Sequence, residues 1–271
     1  MTLEPTPPPP RPALWDSWSR LRILALGATL LLGNFTCQLL WYKWHPGLFG
    51  PVLAGALGGV VLPMLLLARR WRWQASRDLG LDRPGPRPLL GAVLMALAAL
   101  APSSLLAEVS LRLHPADPEW LAHYAQNLPS TPAAIAVAVI AVVLAGPLAE
   151  ELVFRGLVHR VFSLTWGPWP AIAASSLLFG WMHSEPWYVL GLIAVGVMLA
   201  LVWESTGSLT ACWVAHGVHN GVSLAVMIAQ GPAGASPQAI TPAYVGLAVA
   251  STAVLLLVAR RLRPVSTPPA G

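Results

Sequence analysis

The chain has 271 residues, of which 56% are hydrophobic and only 10% charged, against about 25% charged in an ordinary soluble domain. That leaves too little polar surface for a soluble fold of this length, and the natural solvent for such a composition is lipid. The formal net charge of +5 does not point to nucleic acid. The basic residues sit between apolar runs, where a membrane protein keeps its cytoplasmic anchors.

The N-terminal stretch 1–20 is rich in proline up to Pro12 and reads as a disordered tail. It lacks the layout of a cleaved signal peptide. A spanning helix needs roughly 20 mostly apolar residues, and eight segments qualify: 22–42, 50–68, 89–111, 132–158, 169–184, 187–204, 209–229 and 244–260. The expected fold is all-α and polytopic, with an eight-helix membrane domain over 21–263, a motif core at 132–229 and a second disordered tail at 264–271. With eight spans both termini share one side, which then holds 14 of the 16 basic residues, leaving only Lys43 and Arg112 opposite. Positive charge accumulates on the cytoplasmic face, so both termini are expected there, in a multi-pass protein of the cell membrane.

The early spans carry features with plain packing readings. Asn34 lies in a glycosylation sequon, but inside the first span, where it has no meaning as one. Gly55 and Gly59 form a small-xxx-small pair that predicts close helix packing. Cys37 and Cys212 both fall in apolar segments and read as small buried residues. The stretch 70–87, with several arginines, Trp71 and Trp73, suits the membrane interface. Glu108 lies near the end of the third span, a cheap place for a charge.

The later spans differ. The fourth carries Glu150, Glu151, Arg155 and His159, the fifth ends with His183, and the seventh carries His216, His219 and Asn220. A charge at mid-membrane costs from about 2.5 to well over 10 kcal/mol, and several in neighbouring helices imply a shared polar cavity. Glu151 and Arg155 are four apart on one helix face and neutralise each other. Glu150 points about 100° away and is left without that partner, available as a general base. Phe179 and His183 share a face, as do His216 and Asn220. A His–Asn pair suits the stabilisation of an oxyanion, while His219 reads as a packing or supporting residue. His183 lies late in its span and His216 early in its own, so a tilt or a re-entrant entry must bring them level.

Glu-Glu-x-x-x-Arg, then Phe-x-x-x-His, then His-x-x-x-Asn on successive apolar helices resembles the CPBP family. That family comprises the type II CAAX prenyl endopeptidases and the bacteriocin-processing or immunity proteins, also called the Abi family. The resemblance is close over about 146–225 and implies an intramembrane endopeptidase. By that resemblance Glu150 and His183 would polarise the attacking water, and His216 and Asn220 would hold the oxyanion. Glu151 and Arg155 would fix the fourth helix, and Phe179 would pack beside His183. The expected partners are a peptide or protein substrate and the lipid bilayer.

The family is often labelled as metalloproteases, and Glu150, His183 and His216 are the set that would hold a zinc ion. There is, however, no His-Glu-x-x-His helix, and Asn220 is a poor zinc ligand. The expectation is a glutamate-activated water with no cofactor required. Two other functions compete. A non-enzymatic scaffold or self-immunity protein would have no reason to keep Glu150, His183, His216 and Asn220 together. A proton-coupled transporter would favour repeated halves, whereas the polar residues sit entirely in the second half.

Overall fold

The computed structural model describes residues 14–262, and every regular element in that range is helical. Residues 1–13 and 263–271, which hold most of the expected tails, lie outside the described residues. In chain order the helices are α1 (Leu14–Ser17), α2 (Arg20–Trp44), α3 (Phe49–Trp71), α4 (Ala75–Leu79), α5 (Pro86–Leu113) and α6 (Pro118–Gln126). They continue with α7 (Pro132–Trp166), α8 (Pro168–Met182), α9 (Val189–Thr206), α10 (Leu209–Gln230) and α11 (Pro242–Leu262).

Seven of these are long and apolar enough to cross a membrane: α2, α3, α5, α7, α9, α10 and α11. Their outer faces carry exposed leucines such as Leu32, Leu65, Leu94 and Leu257, which only lipid solvates without cost. The chain is a multi-pass membrane protein. The eighth expected span, 169–184, is a correction. It is α8, 15 residues long, or about 22 Å, against a hydrocarbon core of about 30 Å. Its apolar composition made it resemble a full span. The fourth span also runs on to Trp166 instead of ending at 158.

The short α8 reverses the chain between α7 and α9. Arg20 reaches Thr165 at the end of α7, Arg160 donates to the Asp78 carbonyl, and Arg87 donates to the Arg261 carbonyl. The start of α2 and the end of α11 therefore lie at one arginine-rich end. That end is capped by α1 and α4. The Leu14 and Gln74 amides both donate to the buried Asp78 carboxylate at 2.7 Å, and the Trp15 indole donates to the Asp78 carbonyl. The tail expected over 1–20 is thus folded from Leu14 onward, because its apolar residues pack: Leu14 is wholly buried.

Prolines and glycines set how the helices meet. Pro63 has no N–H to offer the Gly59 carbonyl four residues back, and the preceding stretch, Gly55–Val61, is wound as a wide π turn. A Cβ on Gly33 would stand 2.9 Å from that Gly59 oxygen, and one on Gly59 would stand 2.3 Å from the Asn34 nitrogen. The two backbones touch, as the small-residue spacing predicted. Gly59→Ala should therefore push α2 from α3 and lower stability by about 1–3 kcal/mol, read as a fall in Tm of the detergent-solubilised protein.

Pro147 acts the same way on α7. It leaves the Val143 carbonyl without its α-helical partner, next to the π turn Ile140–Ala145. Helix α10 closes on this opened stretch: a Cβ on Gly217 would stand 2.7 Å from the Val143 oxygen. Trp213 Nε1 donates to the Leu144 carbonyl, and Asn220 Nδ2 donates to the Val142 carbonyl, both at 2.9 Å.

Candidate active site

A buried polar tie sets the depth of the site. His159 on α7 bonds Ser175 on α8 through Nδ1 at 2.9 Å and Glu204 on α9 through Nε2 at 2.8 Å. Glu150 lies nine residues before His159, and His183 lies eight residues after Ser175. The two helices run in opposite directions, so both residues fall about 12–14 Å below the tie. On α10, His216 is levelled with them by its bond to Glu151. No re-entrant entry is needed, because α8 begins further out, beside the long C-terminal end of α7.

Each histidine is held by its Nδ1. The Phe179 carbonyl sits in the last turn of α8, where no helical amide reaches it, and His183 Nδ1 donates to it at 2.7 Å. Ser184, with φ 56, then turns the chain sharply away. On α10, His216 Nδ1 donates to Glu151 Oε1 at 2.8 Å. With both Nδ1–H groups committed, each ring turns its Nε2 towards the space beside Glu150. Both Nε2 atoms face Glu150 Oε2, from His216 at 3.7 Å and from His183 at 3.9 Å. Glu150 Oε2 is buried and accepts no hydrogen bond. Separations of this size are too long for direct hydrogen bonds, but they let one oxygen placed over the group lie within reach of all three atoms.

Glu151 and Arg155 form the expected pair, wholly buried, with Arg155 NH1 donating to Glu151 Oε1 at 3.1 Å. Arg155 NH2 donates to the Gly196 carbonyl at 2.9 Å, and its guanidinium lies 4.9 Å from the centre of the Phe179 ring. The Phe179 ring stands 4.7 Å from His183 and 5.8 Å from His216, centre to centre. Glu151, Arg155 and Phe179 thus form one wall that fixes both imidazoles.

Asn220 departs from its expected place. It follows His216 by one helical turn, but its amide donates to Val142 and joins none of Glu150, His183 or His216. One amide hydrogen is spent on the π turn. His219 bonds Ser103 on α5 through Nε2 at 3.0 Å.

Three polar residues near the site were not singled out in the sequence as functional. Glu185 lies just past His183, where burial raises its carboxyl above the usual range and His183 opposes that shift. A groove of about 710 Å³ beside the His183 turn is lined by Phe35, Gly180, Met182, Ser184 and Glu185. Asn34 and Gln38 on α2 line a second, small cavity with Glu150. The signal for Glu185 was an acid alone between two apolar runs. The signal for the two amides was their four-residue spacing inside a span.

Among the described residues, no set of three or more His, Cys, Asp or Glu side chains forms a metal site. Two ligands of one tetrahedral zinc stand about 3.4 Å apart, and the gaps around Glu150 Oε2 are wider. Glu150, His183 and His216 are the residues that would hold such an ion.

Residues 132–222 match the family model described as Type II CAAX prenyl endopeptidase Rce1-like. No curated protein and no solved structure matches the chain. The matched segment runs from the start of α7 into α10 and contains Glu150, Glu151, Arg155, Phe179, His183, His216 and Asn220. Over residues 132–222 the chain is thus similar to the Rce1-like type II CAAX prenyl endopeptidases, the same family that its three motifs resemble.

Proposed function

We propose that the chain is an intramembrane endopeptidase that hydrolyses a peptide bond with a water activated by Glu150. The observation that carries this reading is the convergence of His183 Nε2 and His216 Nε2 on a buried carboxylate oxygen that has no partner of its own.

A water over the three atoms donates to Glu150 and to neutral His183. Its oxygen bonds the scissile carbonyl carbon as Glu150 takes a proton. The carbonyl oxygen becomes an oxyanion. His216 is suited to meet it as an imidazolium, because Glu151 balances the positive ring through Nδ1, and the Asn220 amide supplies the second donor. The C–N bond then breaks, and the proton on Glu150 passes to the leaving amine. The products are a carboxylate and an amine, one water being consumed. The groove beside His183 is the entry for the substrate, which arrives laterally from the membrane. The arginine-rich end of the bundle faces the cytoplasm, with both termini, as the charge distribution favours.

The test is cleavage of a panel of fluorogenic C-terminal peptides, prenylated and unprenylated, by the detergent-purified protein, with metal content measured on the same samples. Cleavage without stoichiometric metal is the expected result. Cleavage that depends on one bound zinc would keep the peptidase and replace the water activation by Glu150 alone. Failure to cleave any peptide would favour a scaffold or self-immunity role.

A further inference from the structure

Hydrolysis consumes a water at every turnover, and the Glu150 carboxylate lies on a membrane-spanning helix, flanked by α2 and α3. A peptidase working there needs a polar route by which water is held ready. The two amides on α2, outside the segment that matches the family, supply one.

Asn34 and Gln38 stand one turn apart, so both face the same way. They line a cavity between α2, α3 and α7 whose other walls are apolar, except for Glu150. No hydrogen bond joins either amide to another described residue. Amides left unpaired within a membrane span cost several kcal/mol each, so a polar occupant is called for. The glycines make the space: a Cβ on Gly55 would stand 2.5 Å from Asn34 Oδ1 and 2.6 Å from Gln38 Cγ.

The size of the cavity decides what the occupant is. Its volume is about 30 Å³, above the roughly 10–15 Å³ that a single water needs, and a water needs two to four polar partners. Asn34, Gln38 and Glu150 are three. We infer that Asn34 and Gln38 are positioning residues that hold a water against Glu150 and feed hydrolysis from the α2 side, opposite the histidines. The inference rests on the peptidase reading above.

The experiment takes the peptide from the panel that the wild type cleaves fastest. In Asn34→Leu/Gln38→Met, kcat should fall about tenfold while KM stays within about twofold. Asn34→Ser, which keeps a hydroxyl on the cavity wall, should hold most of the wild-type kcat. Should the double variant not stay folded, Gln38→Met alone carries the same test with a smaller fall. A raised KM at constant kcat would mean that the amides bind the peptide, and would overturn the inference. Unchanged kcat and KM would overturn it too, and both outcomes leave the peptidase standing. A wild type that cleaves no peptide removes the peptidase reading, and the inference with it.

Discussion

Glu150→Gln should reduce kcat for peptide cleavage by about 10²–10⁴, the usual range for loss of a general base, with the fold intact. The substitution keeps the size of the side chain and a carbonyl oxygen at the meeting point of the two imidazoles. What it removes is the ability to take a proton from water. Stability should change little, because the Glu150 carboxylate is outside the buried ion pair and its Oε2 gives up no hydrogen bond. Glu150→Asp separates charge from position. It keeps the carboxylate but draws it back by about 1.5 Å, and a displacement of that order costs about 10² in rate. Kinetics on the most rapidly cleaved peptide, with Tm as a control, check both variants. Glu150→Gln activity within tenfold of wild type would end the role of Glu150 as the base. The chemistry would then have to run from His183 or His216.

The sequence was most legible where chemistry and helical spacing coincide. Four-residue spacing put Glu151 beside Arg155 and Phe179 beside His183, and the structure pairs them so. The cost of charge in lipid singled out the second half of the chain. The length of α8 was less legible, because composition reports apolarity and not where a helix begins relative to the membrane. His159, read in the sequence only as one more polar residue of the fourth span, proved to set the depth of Glu150 and His183 through Ser175 and Glu204. Such a tie between distant residues has no local spacing to reveal it. The contact made by Asn220 was illegible for a related reason. Sharing a face with His216 fixed its direction, but the π turn ahead of Pro147 had already turned out a carbonyl to receive it. Asn34 was visible only as part of a sequon, and its neighbour across the cavity, Glu150, is more than a hundred residues away.

Removing Arg155 should be the most destabilising single change in the site. Its side chain is wholly buried, and Glu151, the carboxylate it neutralises, is wholly buried too. Arg155→Met leaves that charge without its cation and the Gly196 carbonyl without its donor. Breaking one partner of a buried pair costs about 3–5 kcal/mol, which should show as a large fall in Tm or as a failure to leave the membrane folded. The companion variant Glu151→Leu/Arg155→Met removes both charges, and replacing a buried pair by apolar groups of similar volume is often close to neutral. Its Tm should therefore recover towards wild type. Activity should not follow. Without Glu151 Oε1, His216 Nδ1 has no acceptor, the ring loses both its orientation and the charge that stabilises an imidazolium, and the oxyanion loses its principal donor. A double variant that regains both stability and cleavage would mean that Glu151 serves the fold alone. Recovery of stability without cleavage would show that one carboxylate does two tasks, balancing Arg155 to close the bundle and holding His216 for the chemistry.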